Sequence, residues 1–478
     1  MPAHVAILGG GLSGLSAAFH LSRQFPSTLI TIIEKHTKLG GWAQSDRIQL
    51  KDKHGRPCSV LLESGPRTLR PNANSVLELV HLLGLKDSLV LTPRSAAAAR
   101  KRFLYIYGTK GLTPLPSSVA TLVSSPLRSL FLRAGLRDTL IARQHRSGDE
   151  SVDSFLSRHF GEDLALTLGS ALVHGIYAAD SRKLSVRAAF PLLCEAEKRG
   201  RGRVIAGSFL SSPTATNGYD LGDMKSVMDG ISVYSFRDGL STIANALQAH
   251  LASKPNVRLL LGTGVSRLSI GDDVEVTTST GEQIRPTHVV SALPLPQLQA
   301  LLAPSSLPHL DANPSSSVTV ANFVFPPSSR FHPDGFGYLI PRPRAGYQTA
   351  ENPGILGTVF DSCSLAAQDT PSTPPIKVTM MLGGPYGRAD IAESTLLRHL
   401  ASHLGGERLP EVLYSRMQHH QDCIPTFAPG HLERMGELRR VLREGPWKGR
   451  LEVIGAGVGG VSVGDCIEAG RNVGIDWL

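Results

Sequence analysis

An apolar run, His4 to Leu8, ends in Gly9-Gly10-Gly11-Leu12-Ser13-Gly14, and this spacing of glycines restricts what the chain can become more than any other segment. It fits G-x-G-x-x-G in the context that gives the motif meaning: a strand before it, and a helical pattern, Gly14 to Arg23, after it. The first glycine permits the tight turn, the second lets backbone approach a pyrophosphate, and the third lets helix and strand pack closely. The helix start offers free N–H groups and the positive end of the helix dipole to phosphate. A second β run, Leu29 to Glu34, closes a βαβ unit. Glu34 is placed to accept from ribose hydroxyls, with Lys35 beside it, and its charge repels a 2′-phosphate. FAD or NAD is therefore favoured over NADP.

Two further glycine segments point to FAD. Leu39-Gly40-Gly41-Trp42 follows the acidic residue closely, and paired glycines let the chain wrap ribose and phosphates where an NAD domain would continue into its next helix. At the other end of the chain, the β run Leu451 to Gly455 leads into Gly455-Ala456-Gly457-Val458-Gly459-Gly460, then Val461-Ser462-Val463-Gly464-Asp465 and a helical pattern to Val473. A second helix start there could approach the flavin ring and its polar tail. A separate second nucleotide site is the competing reading, but no acidic residue closes a second βαβ unit.

At 478 residues the chain is long enough for several domains. A helix is expected from Ser75 to Leu83, helical patterns from Val152 to about Arg199, and a surface loop from Gly207 to Asp223. Runs at Val257 to Leu261, Val274 to Thr278 and His288 to Leu293 read as a small antiparallel insertion. Those at Ser317 to Val324, Gly354 to Phe360 and Lys377 to Leu382, with a helix near Ile391 to Leu404, read as a second sheet. From Leu89 to Arg137 there is no Asp or Glu, and eight Lys/Arg are interleaved with Leu, Phe, Val and Pro. That pattern suits a basic solvated surface or partial insertion at an anionic interface. The net charge of +9 favours an anionic partner, and no nucleic-acid motif accompanies it. The five scattered cysteines show no metal-ligand spacing and read as reduced, largely packed residues. His419 and His420, adjacent in a strand, would point to opposite faces, which argues against a metal. The chain enters a strand at once, so no cleavable presequence is evident.

These glycine motifs, with Leu62-Glu63-Ser64-Gly65-Pro66-Arg67-Thr68-Leu69-Arg70-Pro71, resemble the protoporphyrinogen oxidase family of the amine-oxidase-like FAD superfamily. The resemblance continues through Arg102-Phe103-Leu104-Tyr105, Gly335-Phe336-Gly337-Tyr338-Leu339-Ile340-Pro341, Val378-Thr379-Met380-Met381-Leu382-Gly383-Gly384, Cys423-Ile424-Pro425 with Gly430-His431, and Asp465-Cys466-Ile467-Glu468. It spans almost the whole chain.

The resemblance implies an α/β fold with α+β insertions. A Rossmann-like FAD domain is assembled from 1–90, 220–300 and 425–478, a helical membrane-binding and channel domain occupies 91–219, and a mixed-sheet substrate domain 301–424. It implies oxidation of protoporphyrinogen IX by three two-electron transfers to FAD, with O2 as acceptor and H2O2 formed. Coproporphyrinogen as substrate, a non-catalytic flavin-binding partner and an NAD(P)H-dependent flavin reductase are the rival readings. Arg102 is the implied propionate ligand, and Phe336, Leu339 and Met381 the apolar walls around the macrocycle. The implied cofactor neighbours are Gly9 to Gly14, Glu34, Lys35, Trp42, Gly65, Pro66, Arg67, Thr68, Val265, Ala456, Val461, Ser462 and Val463. No general base is named. His174 departs from the arginine of animal members, which puts any polar role there in doubt. A peripheral seat on the mitochondrial inner membrane, a homodimer and contact with a ferrochelatase are further expectations.

Overall fold

The computed structural model describes all residues except 52–54, 56, 142–147, 211–217, 305, 328–330, 350, 370–373, 388–390, 407 and 478. The first strand, His4–Leu8, lies at the centre of a five-stranded parallel sheet. On one side it pairs with Leu29–Glu34, which pairs with Val257–Leu261; on the other it pairs with His288–Ser291, which pairs with Leu451–Val453. The near-continuous apolar character of the central strands follows from burial on both faces. Two expected members of the small antiparallel insertion, Val257–Leu261 and His288–Ser291, thus belong to the parallel sheet. The insertion itself is Val265–Ile270, Val274–Thr278 and Gln283–Ile284.

The first helix, Leu12–Gln24, and the last, Val463–Arg471, pack side by side over this sheet. Gly470 makes the approach close enough that a Cβ there would lie 2.4 Å from the Ser13 carbonyl oxygen, and Ser16 Oγ donates to the Ile467 carbonyl. The two ends of the chain therefore build one layer.

A seven-stranded sheet forms the second centre, in the order Tyr414–Pro425, Ser315–Phe325, Ile376–Gly383, Ile355–Val359, Gly337–Leu339, Phe103–Leu104 and Thr113–Pro114. Its register lines up residues across the strands. One row is Gly337, Val359, Thr379, Asn322, Arg416; the next is Leu339, Gly357, Met381, Val320, Gln418; the next includes Gly383, Val318 and His420. Alternation puts all three rows on one face. The other face packs Phe103, Phe323, Tyr338, Phe360 and Met380 into an apolar core. The hairpin Ser45–Lys51 with Pro57–Glu63 crosses between the two sheets. Of the expected loop from Gly207 to Asp223, Gly207 sits in a short helix, Val204–Ser208, and 211–217 lie outside the described residues.

A third unit is helical: Arg128–Leu140, Val152–Phe160, the π-turn Ala165–Gly169 running into Ser170–Tyr177, and Pro191–Arg199. It is cross-braced by buried charges. His159 joins Asp138 at 2.7 Å and Glu197 at 3.0 Å through its two ring nitrogens, and Arg158 joins Glu197 and Glu150. No helix among the described residues is long and apolar enough to cross a membrane.

Candidate cofactor and substrate site

The glycine turn is built as its spacing requires. A Cβ on Gly14 would sit 2.0 Å from the Gly9 carbonyl oxygen, and one on Gly10 would sit 2.2 Å from Leu39 Cδ2. The helix that follows starts at Gly11 with no side chain capping it, so its first N–H groups are available to a ligand. Glu34 accepts from Gly10 N (2.7 Å) and His36 N (2.9 Å), which fixes the carboxylate at the end of its strand. Gly40 N donates to the Gly10 carbonyl and Gly40 bridges Gly11, so Leu39 to Trp42 lies against the same turn. Thr263 N donates to the Glu34 carbonyl and Gly262 N to that of His36, and Gly264, next to Val265, faces Lys35 Cβ. The segment Ala456 to Val463 leads into the last helix, where Ser462 and Asp465 cap one another and leave the Val463 and Gly464 N–H groups without an acceptor among the described residues.

Gly65 meets the Trp42 segment so closely that a Cβ would lie 2.3 Å from the Trp42 carbonyl oxygen. Pro66 and Thr68 continue the turn half-buried, and Arg67 inside it is buried, with Nη1 on Asp361 at 2.9 Å. Asp361 also accepts from Thr379 Oγ1 (2.6 Å), which accepts from Asn322 Nδ2 (2.9 Å). This buried chain fixes the turn to the second sheet. Lys377 Nζ holds the Leu61 carbonyl and His420 Nε2 the Ser64 carbonyl at 2.7 Å, so the same sheet face grips the strand Pro57–Glu63 along its length. The His420 ring lies edge-on to Trp42, and burial together with His419 and Arg416 lowers its pKa.

Sequence reasoning did not find Asp361, Thr379 or His420 as site residues. An aspartate directly after the apolar run Ile355 to Phe360 was the one local signal; the Arg67 to Asp361 contact spans 294 positions. His419, on the opposite face, is exposed and bonds Thr319. Among the described residues, no three His, Cys, Asp or Glu side chains gather as a metal site, and none of the five cysteines is joined in a disulfide.

Two buried polar atoms in this region, Ser64 Oγ and Arg67 Nη2, lack hydrogen-bond partners among the described residues. Buried donors are normally satisfied. With the open helix starts and the glycine-lined cradle, they fit a bound dinucleotide whose polar ring atoms would complete them.

Beyond the turn, two of the four implied substrate residues share a row of the sheet, whereas Phe336, one residue before Gly337, takes the opposite side by alternation. Leu339 and Met381 occupy one row on either side of Gly357, both half-buried. Val359, on the same face and half-buried, belongs with them, although its sequence context marked it only as a strand residue. Phe103 pairs with Tyr338 on the core side and Leu104 with Leu339, so alternation puts Arg102 on the cleft side. Its guanidinium makes no ion pair among the described residues, and burial together with Arg70 lowers its pKa while leaving it a cation. Phe336 is half-buried at the start of its strand, tied through its N–H to the Lys101 carbonyl, next to Arg102. Gly175, on the helix Ser170–Tyr177, faces Leu339 with no room for a Cβ (2.7 Å). Beside it His174 is buried: Nδ1 donates to the Ile340 carbonyl (2.7 Å) and Nε2 accepts from Tyr347 OH (3.0 Å). Burial lowers its pKa to about 4, so it is a neutral brace.

The model of the flavin-containing amine oxidoreductase family matches residues 12–473. The chain is 32% identical to the protoporphyrinogen oxidase of Homo sapiens over 494 residues, covering 99% of this chain and 98% of that one. The chain belongs to the protoporphyrinogen oxidase family. Identity to the Schizosaccharomyces pombe protoporphyrinogen oxidase is also 32%, over 98% of this chain and 97% of the relative. Among solved structures, an Exiguobacterium chain described as a protoporphyrinogen oxidase superposes with a TM-score of 0.76 at 21% identity, covering 98% of this chain and 97% of that one. A UDP-galactopyranose mutase superposes at 0.66 with 14% identity, over 98% and 92%, which shows a shared fold only. As a member of the protoporphyrinogen oxidase family the chain is an FAD-dependent oxidoreductase, and the cradle of Gly9 to Gly14, Glu34 and the Gly65 turn is where its residues fit that cofactor.

Proposed function

We propose that the chain oxidises protoporphyrinogen IX to protoporphyrin IX in haem synthesis, with dioxygen reduced to hydrogen peroxide in each of three two-electron steps. One observation carries the reading: Arg102, whose guanidinium has no ion pair among the described residues, lies by alternation on the sheet face of Leu339, Val359 and Met381, close enough to Arg70 of the Arg67 turn to feel its charge. Bound FAD supplies the two-electron acceptor. The chain's residues do the positioning. Arg102 takes a propionate bidentately, and the apolar row lies against the macrocycle and excludes water from the reacting carbon. The Arg67–Asp361 pair holds the turn that sets the cofactor against that row, and no side chain is assigned as a general base.

The rival with more carboxylates, coproporphyrinogen, would need more cations than the single unpaired arginine that this face presents among the described residues. The acid-free stretch from Leu89 to Arg137, with exposed Leu132, Leu136 and Leu140 on its helix, supports a peripheral seat on an anionic membrane, in keeping with the mitochondrial inner membrane. A second copy of the chain and a ferrochelatase are the protein partners this reading expects. The test is anaerobic mixing of holoprotein with protoporphyrinogen IX. Flavin absorbance bleaches, and admitting air yields porphyrin fluorescence and peroxide; flavin that stays oxidised sinks the reading. Coproporphyrinogen run in parallel turns over more slowly.

A further inference from the structure

The helical unit contains an apolar pocket of about 320 Å³, half open to the surface, that belongs neither to the cofactor cradle nor to the sheet face. Phe131, Leu156, Phe160, Leu168, Leu172 and Leu193 contribute to its wall, and none of its lining residues is polar. The volume is about twice the roughly 150 Å³ that takes up a benzene ring in a dry protein cavity. Water gains nothing there, because a buried water needs two to four polar partners. Left empty, the walls forfeit dispersion contacts that close-packed interiors otherwise make. An apolar occupant is what such a space accepts.

The surroundings say which. Leu172 lines the cavity and is also 40% exposed, so the space opens at the surface beside it. Exposed Ile176 follows one turn along the same helix, Leu192 adjoins the lining residue Leu193, and Leu132, Leu136 and Leu140 form a stripe on the helix whose inner face supplies Phe131 and Gly135. Arg128, Arg133 and Arg137 on that helix are exposed and unpaired among the described residues. An apolar pocket opening through an apolar rim set with cations is complementary to a chain carrying an anionic head. The π-turn Ala165–Gly169 supplies Leu168 and Gly169 to the wall, and such a turn in an α-helix frequently marks a functional site. A porphyrin does not suit the space, because its propionates would meet no cation inside.

We propose that this cavity seats one acyl chain of an anionic phospholipid, with the arginines of the helix Arg128–Leu140 on its headgroup. The membrane thus does more than adsorb the helical unit: it donates a chain that completes the unit's core. The proposal rests on the membrane reading above but makes a narrower claim.

Gly135 provides the test, since a Cβ there meets nothing within 4 Å and glycine is a poor residue inside a helix. In Gly135→Leu the new side chain fills the cavity while the helix keeps its form. Lysophosphatidylglycerol below its micellar concentration is titrated into the holoenzyme, and Tm is followed at each lipid concentration. Wild type is expected to gain Tm with lipid. The variant starts higher, shows a Kd weakened by at least about tenfold, and keeps its flavin content. Arg133→Glu with Arg137→Glu weakens lysophosphatidylglycerol but leaves the weaker binding of lysophosphatidylcholine unchanged. If Gly135→Leu binds the lysolipid as tightly as wild type, the seat does not exist. Pelleting with phosphatidylglycerol vesicles by a wild-type protein that ignores the monomeric lysolipid would also overturn the seat, while leaving the membrane reading intact; failure to pellet as well would remove both.

Discussion

Replacing Arg102 with alanine separates substrate binding from folding because of where the residue sits. Its backbone carbonyl accepts from Leu115 N, but its guanidinium makes no ion pair among the described residues. Truncation should therefore leave stability within about 0.5 kcal/mol of wild type. The loss falls on the substrate. A charge-assisted bond from a partly buried guanidinium to a carboxylate contributes about 1.5–3 kcal/mol, which corresponds to a KM raised about 10- to 150-fold with kcat nearly unchanged. Arg102→Lys, keeping the charge without the planar fork, should fall between. The assay is porphyrin fluorescence against protoporphyrinogen concentration in detergent, with flavin content measured on each variant. The dimethyl ester of the substrate is the control: it lacks carboxylates, so wild type and Arg102→Ala should treat it alike. An unchanged KM for the free acid, or an equal loss on the ester, would remove Arg102 from the propionate site.

The buried pair gives a contrasting expectation: Asp361→Asn leaves the Arg67 charge uncompensated, should cost about 3–5 kcal/mol by denaturant titration, and should lower flavin occupancy as well. Gly14→Ala puts a methyl 2.0 Å from the Gly9 carbonyl oxygen, so it should purify folded but without flavin absorbance. His174 has its pKa lowered by burial from 6.5 to about 4, so the unfolded chain binds the extra proton between those values. Its contribution, about 3 kcal/mol at most, is present above pH 6.5 and lost as pH falls towards 4; His174→Asn should flatten the slope of urea midpoint against pH in that window. His20 and His403, likewise lowered by burial, keep part of the slope. Leu136→Glu with Leu140→Glu should release the protein from anionic vesicles in a flotation assay without changing turnover in detergent.

The parts that the sequence makes legible are those whose cause is local. The glycine turn, its helix and Glu34 announce themselves because each glycine answers a backbone need within a few residues, and the second glycine segment does the same at the far end. Partner choice is not local. Val257–Leu261 and His288–Ser291 are short apolar runs that suit either pairing direction, and only burial between helices and sheet decides for the parallel sheet. The hairpin Ser45–Lys51 with Pro57–Glu63 escapes notice because half its residues are polar, as suits a ribbon lying between units. In the site, Arg102, Leu339 and Met381 are marked by resemblance, whereas Asp361 and His420 gain their roles only when a sheet distant in sequence is laid against residues 61 to 67. His420 shows this well: alternation predicts which side it takes, not that a carbonyl of the cofactor turn waits there.

The strand Leu451–Val453 reaches the first strand only through His288–Ser291, and the last helix rests on the first. During synthesis the opening glycine motif leaves the ribosome more than four hundred residues before the helix that completes its layer. A nascent chain can thus fold its middle while its ends wait. Flavin capture therefore waits for that helix, and a premature stop just before it should be as damaging to holoenzyme yield as one lost glycine in the opening motif.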